Sequence, residues 1–203
     1  MAYMGDVKAK TFQPQSASTT KIAAAQTLGG AGNMTLTGSA VNDGSNMAST
    51  VTLTSTGNIS GVTFTVTGTD ASGSAATEDI TGPNNNTVTG STAFLTVTQI
   101  AADGAVATNT SAGFTATTTG QGIVFAGATR IRGVLAANVA VAGLLEFKDG
   151  SQSGDVLFSI VTTSGTGHIN TTVPQDGIRF KNGAFLDMQA TQVVDGLTVF
   201  FDG

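Results

Sequence analysis

There is no cysteine among the 203 residues and no tryptophan. Without a thiol the chain cannot close a disulfide, run thiol chemistry or build a cysteine-based metal site. Its stability has to come from packing and from what it binds. Charge is also scarce. Asp, Glu, Lys and Arg make up 10% of the chain, against roughly 25% in an average domain, so the polar surface must be built from Thr, Ser, Asn and Gly. Basic residues are missing altogether from Ile22 to Thr129. That stretch cannot neutralise phosphates, which argues against a nucleic-acid partner. No apolar run approaches the ~18 residues of a membrane helix, and the first ten residues lack the apolar core of a secretory signal. The expectation is synthesis in a cytoplasm and no membrane partner. Tyr3 is the only tyrosine, so aromatic platforms for stacking sugars are few.

What is present is alternation. From Asn58 to Ala76 the chain reads N-I-S-G-V-T-F-T-V-T-G-T-D-A-S-G-S-A-A. Val62, Phe64 and Val66 fall on one side of an extended strand and Thr63, Thr65 and Thr67 on the other. That period of two marks a strand with one buried and one wet face. Gly68 to Gly73 is expected to end it in a turn. Threonine-rich strands separated by Gly, Asn and Asp recur from about residue 33 to the C-terminus. Hydrophobic residues make up 40% of the chain, enough for a real core. The 27 glycines suit tight turns and bulges.

Three segments are predicted. Residues 1–30 have no clear strand or helix period and are expected to form an extended N-terminal arm, dispensable for folding and held by a neighbouring subunit; Lys21 to Leu28 could form two helical turns. Residues 31–118 hold roughly seven short strands with frequent turn signals, the pattern of an immunoglobulin-like β-sandwich. Phe94, Leu95, Val97 and Phe114 are its further core candidates. Residues 119–203, after a linker at Thr119–Gly122, are expected to form a C-terminal β-sandwich, jelly-roll-like or similar. There Ile131, Gly133 and Leu135 alternate with Arg130, Arg132 and Val134. The strand Asp155 to Thr163 is apolar on both faces, so one face is expected to meet another domain or subunit. The fold class is all-β: two β-sandwich domains with an extended arm.

The net charge of -5 is unevenly placed. Residues 1–21 are net positive through Lys8, Lys10 and Lys21, and with Phe12 these are candidate contacts to an acidic partner surface. Arg130 and Arg132, placed on one strand face, are candidates for contacts between subunits, where arginine is enriched.

Few residues suggest chemistry. His168 is the only histidine, it is expected in a loop, and its neighbours Gly165-Thr-Gly-His-Ile-Asn170 show no nucleophile elbow. Asp149 to Asp155 has oxygen side chains at alternate positions, but the twelfth position is Ile160 where a calcium loop needs glutamate; it reads as a hairpin loop. Glu78 and Asp79 are adjacent, so on a strand they point to opposite faces and are expected to be solvated strand-end charges. No catalytic, cofactor-binding or metal site is predicted, and the chain is read as a non-enzyme.

Two stretches resemble known proteins. The run G-V-T-F-T-V-T-G-T-D, then G-S-A-A-T-E-D-I-T-G, then F-L-T-V-T-Q-I resembles an immunoglobulin-like sandwich module of tailed-phage virion proteins, over residues 50–118. The ending V-P-Q-D-G-I-R-F-K-N-G-A-F, followed by V-V-D-G-L-T-V-F-F, resembles small structural proteins of marine and cyanobacterial phages, over residues 119–203. The resemblance implies a virion protein assembled in the host cytoplasm. A capsid decoration or cement protein is the leading expectation, a homo-oligomer (a trimer, on the resemblance) contacting the major capsid protein or other virion proteins. A neck, tail or fibre component is the alternative. A carbohydrate- or receptor-binding module is the alternative of a different class, and a hydrolase ranks last.

Overall fold

The computed structural model describes residues 6–37, 45–117, 120–139, 142–163, 165–173, 176–189 and 193–203. Tyr3, Thr119 of the expected linker, and Pro174 and Gln175 of the phage-like ending lie outside them. Among the described residues all regular structure is β, and every strand pairing is antiparallel. In chain order the strands are β1 (Val7–Phe12), β2 (Ser18–Leu28), β3 (Gly32–Asn33), β4 (Ser49–Ser55), β5 (Thr63–Asp70), β6 (Ala75–Thr81), β7 (Thr87–Ala102) and β8 (Val106–Phe114). They continue with β9 (Gln121–Phe125), β10 (Thr129–Val139), β11 (Gly143–Asp149), β12 (Val156–Thr162), β13 (Thr166–Thr172), β14 (Ile178–Phe180), β15 (Ala184–Gln189) and β16 (Val193–Asp202).

The strands form two compact units. One comprises Ser16–Gly44 and Ala48–Thr117; the other comprises Met1–Gln15, Ser45–Met47 and Thr118–Gly203. In the first, the strand order is β2-β8-β4-β7-β5-β6, with β3 also on β7. The long β7 makes this arrangement. Its first half, Thr87 to Phe94, pairs with β4, and its second half, Phe94 to Ala102, pairs with β5. Two register shifts against β5 leave Leu95 and Thr98 unmatched. An extra residue bends a strand and changes which side chains face inward, which is how one strand serves two layers. The core therefore takes Phe94 and Val97, both fully buried, while Leu95 stays half-buried. Ile22, Val51, Leu53 and Phe114 meet Phe64, Val66, Ile80 and Ile100 in one cluster.

The second unit is a sandwich of two sheets. One has the order β1-β16-β10-β13, with β14 on β10; the other has the order β12-β11-β15-β9. Ile131, Val134, Ala136, Leu197 and Val199 from the first sheet pack with Leu145, Phe147, Leu186 and Met188 from the second.

The structure corrects several expectations. Residues 6–28 are not an arm: β1 pairs along β16 and β2 along β8. Phe12 and Ile22 are both fully buried, one in each core. The period of β1 was hidden because it is an edge strand with Phe12 its one buried residue. Lys21 to Leu28 is strand rather than helix. An irregular register opposes Ser18–Ala23 to only Ala112–Phe114, which puts Ile22 and Ala23 side by side in the interior and erases the alternation. Gly113 permits this, because a Cβ there would lie 1.8 Å from the Ser18 carbonyl oxygen.

Gly68 does not end its strand. It sits within β5, where a Cβ would meet the Thr96 carbonyl oxygen at 1.9 Å, and the turn comes at Ala71–Gly73. There the Asp70 carboxylate accepts from the Ser72 and Ser74 amides. In β10 the alternation breaks at Arg132, which has no partner position on β16. The bulge shifts the phase, so Val134 is buried and Leu135 is 38% exposed. Segment 45–47 belongs with the C-terminal unit. The Gln13 amide donates to the Ser45 carbonyl, Asn46 Nδ2 donates to the Thr11 carbonyl, and Met47 enters the core.

Candidate interaction surface

With so few charges, the strands are joined by hydroxyl pairs. Thr50 meets Thr115 at 2.8 Å, Thr54 meets Thr87 at 2.8 Å, Ser55 meets Thr108 at 2.7 Å and Thr69 meets Thr96 at 2.6 Å. Each is a cross-strand contact that stabilises the sheet by a fraction of a kcal/mol, on the order of 0.2–1. Thr52 interrupts this series. It is buried, its register partner on β8 is Gly113, and its Oγ1 has no hydrogen-bond partner. Glycine has no side chain with which to answer it, and Thr89, the register partner of Thr52 on β7, does not bond to it. Thr52 also lines a cavity of about 650 Å³ together with Ser18, Thr19, Thr87, Phe114 and Thr115.

Of the two adjacent acids, one serves the backbone. Glu78 and Asp79 lie on opposite faces of β6. The Glu78 carboxylate accepts from the amides of Ser91 and Thr92 and from the Ser91 hydroxyl. Ser91 and Thr92 lie in the irregular stretch of β7 opposite Thr50–Thr52, where ladder bonds are lost. Glu78 is thus an internal fastener for a bulge, not the solvated strand-end charge that its neighbours suggested. Asp79 is exposed and accepts from the Thr65 hydroxyl at 2.7 Å.

In the other unit, the face of the β12-β11-β15-β9 sheet that points away from the core cluster carries a graded surface. At its centre Asp187, 2% exposed, receives Lys148 Nζ at 2.6 Å and Gln121 Nε2 at 3.2 Å. Glu146 stands 3.4 Å from the same ammonium. The hydrogen bond to Asp187, helped by Glu146, raises the Lys148 pKa above the ordinary lysine value, against the opposing effect of burial. Moving outward, exposure rises and polarity falls. The edge strand β12 presents Val156 at 47%, Leu157 at 42% and Val161 at 74% exposure, with Ser159 between them. Its other face is turned inward: Phe158 stacks on Phe147 with ring centroids 5.5 Å apart, and Ile160 packs on the core. Among the described residues no strand pairs with the outer edge of β12.

The chain matches no family model, no curated protein and no solved structure.

The residues expected at partner contacts are spread across the chain. Phe12 is core. Lys10 donates to the Ile123 carbonyl at 2.7 Å and lies 5.6 Å from the Phe12 ring centre; burial lowers its pKa. Lys8 lies 5.9 Å from the Phe125 ring centre. Lys21 is exposed on β2, in the other unit. Arg132 is committed within the chain: its Nε donates to both oxygens of Asp202 at 2.9 Å, and Nη2 lies 2.8 Å from the same carboxylate. That hydrogen bonding raises its pKa. Arg130 donates to the Asp176 carbonyl at 3.2 Å. The expected basic arm is therefore divided between the two units.

His168 is on strand β13, opposite Ala137 and exposed, rather than in a loop. In the loop after β11, the Asp149 carboxylate accepts from the Asn182 amide and Nδ2, both at 2.9 Å, and the Asp149 amide closes the loop on the Asp155 carbonyl. Among the described residues no three His, Cys, Asp or Glu side chains gather as metal ligands do. The apolar edge strand was legible as a strand with two apolar faces; the Lys148–Asp187 centre was not, because its members are 39 residues apart.

Proposed function

We propose that this chain is a structural component of a tailed-phage particle, a decoration or cement protein lying on the head shell against the major capsid protein. The observation that carries the reading is the uncharged, solvent-exposed apolar edge strand β12 of the C-terminal sandwich. A rigid scaffold that keeps its charges few and exposes one apolar strand suits a protein whose work is to hold a neighbour. The likeness of residues 50–118 and 119–203 to phage virion proteins supports the same class. The docking element in this reading is β12 rather than the N-terminus, whose strands belong to the cores.

The test is co-sedimentation of the purified protein with capsids lacking it, and its copy number in intact particles. Hundreds of copies per particle and saturable binding to shells support decoration. A dozen or fewer copies favour a neck, tail or fibre component. Absence from particles overturns the class. The cavity lined by Ser18, Thr19, Thr87, Thr115 and Phe114 favours a second reading, a glycan-binding module. Its hydroxyls suit a neutral sugar and Phe114 offers an apolar wall. A glycan array with a positive hit lost on Thr115→Ala supports that reading.

A further inference from the structure

We propose that Ser45–Met47 is a non-covalent staple: docked in the folded C-terminal unit, it pins the middle of the other unit's chain and so protects that unit against opening. The inference belongs to the purified chain and is independent of what the chain binds.

The order of segments sets up the constraint. The inserted unit, Ser16–Gly44 with Ala48–Thr117, lies in sequence between parts of the C-terminal unit, which takes Met1–Gln15, Ser45–Met47 and Thr118–Gly203. The C-terminal unit therefore holds the inserted chain at three points, its two ends and Ser45–Met47 between them.

The middle point is firmly attached. Ser45 and Met47 are both fully buried, and Met47 lies in the core cluster with Phe12, Val124 and Leu145. The Gln13 amide donates to the Ser45 carbonyl at 3.0 Å, and Asn46 Nδ2 donates to the Thr11 carbonyl at 2.8 Å. Between the two buried residues Asn46 turns the chain with a φ of 58°. Asparagine tolerates that left-handed conformation, and β-branched residues do not. Gly122 of β9 leaves room for the turn, since a Cβ there would stand 2.3 Å from the Asn46 carbonyl oxygen. The chain has little slack beyond it. Met47 is in one core, and Ser49, two residues on, already opens β4 opposite Phe94 of β7.

Loop closure turns this attachment into stability. When the inserted unit opens on a folded C-terminal unit, its chain is still held. With the staple docked, the opened chain makes two closed loops, Ser16–Gly44 and Ala48–Thr117. With the staple out, it makes one longer loop. The entropy of closure grows only with the logarithm of length, so two loops cost more than one of their combined length. The docked staple lowers the entropy of the opened state, as a disulfide does for an unfolded chain. For loops of these lengths the opened population falls by roughly one to two powers of ten.

Hydrogen exchange of the full chain, read peptide by peptide by mass spectrometry, tests this, because it reports the opening of one unit at a time. Asn46→Val, which the left-handed backbone rejects, and Met47→Ala should each speed exchange of β5 and β7 by about tenfold or more, although both residues belong to the C-terminal unit. Asn46→Gly loses the same side-chain bond but keeps the turn, so it should change β5 and β7 far less. Met188→Ala makes the same truncation in the same core away from the staple; it should speed β11 and β15 and leave β5 and β7 alone. Unchanged exchange of β5 and β7 in both Asn46→Val and Met47→Ala overturns the proposal. An equal response of β5 and β7 to Met188→Ala also overturns it, since the two units would then open together. So does a wild type in which β11 and β15 exchange before β5 and β7, because no folded unit would be left to hold the staple.

Discussion

Removing the Lys148 ammonium while keeping its length, as Lys148→Met, probes the most buried charge among the described residues. Asp187 is 2% exposed. In the native protein one carboxylate oxygen receives Lys148 at 2.6 Å and the other receives Gln121 at 3.2 Å. The substitution leaves a charged group out of water without its ammonium. Breaking a buried pair in this way costs about 3–5 kcal/mol. The lower end applies here, because 12% of the Lys148 side chain and 19% of Glu146 remain exposed and water can partly replace the lysine. About 3 kcal/mol is a large share of the ~5–15 kcal/mol that holds a domain together.

Calorimetry is the suitable assay, since the chain has no tryptophan and it resolves a two-unit chain into more than one transition where the units do not unfold together. The double variant Lys148→Met with Asp187→Leu should recover most of the loss, because an apolar pair of similar volume replaces the ion pair and the carboxylate left behind, Glu146, is the one that still reaches water. The pH dependence has a definite sign. The native pKa of Lys148 is raised above 10.5, so its contribution is fully present below the unfolded value and is lost as pH rises through the native value. The gap between wild type and Lys148→Met should therefore be constant through neutral pH and close only in strong alkali. A loss below about 1 kcal/mol, the range of exposed pairs, would refute the reasoning and mean that Asp187 is solvated.

Three further outcomes follow from the cores and the hydroxyl series. Thr52→Val should leave the fold unchanged and raise stability by about 1 kcal/mol, because it removes a buried hydroxyl without a partner at nearly constant shape; a loss in urea denaturation would mean that the hydroxyl is bonded. Phe64→Ala should cost about 3–5 kcal/mol and exposed Thr65→Ala no more than about 0.5 kcal/mol, so equal losses would contradict the β5 register. Deleting residues 1–15 removes β1 and Phe12 and should cost at least about 3 kcal/mol, read as a lower calorimetric midpoint of one unit; unchanged unfolding would restore the dispensable arm.

The class of fold was decided by the sequence alone. Alternation of Val62, Phe64 and Val66 with threonines, repeated between Gly, Asn and Asp turns, has no helical solution, and the absence of cysteine leaves burial as the source of stability. The strand of Phe158 and Ile160 was legible as a strand, but with both of its faces apolar its period did not say which one turns inward. What the sequence could not carry were the breaks in that period. Bulges at Leu95, Thr98 and Arg132 each move the downstream residues to the other face, and a bulge is set by the partner strand rather than by its own residues. Strand β1 was equally hidden, because pairing through the backbone needs no side-chain pattern when one face meets water. The Lys148–Asp187 centre and the silent Thr52 hydroxyl depend on which strands lie side by side. Long-range pairing alone makes Asp187 a neighbour of Lys148 and sets Thr52 between Gly113 and Thr89.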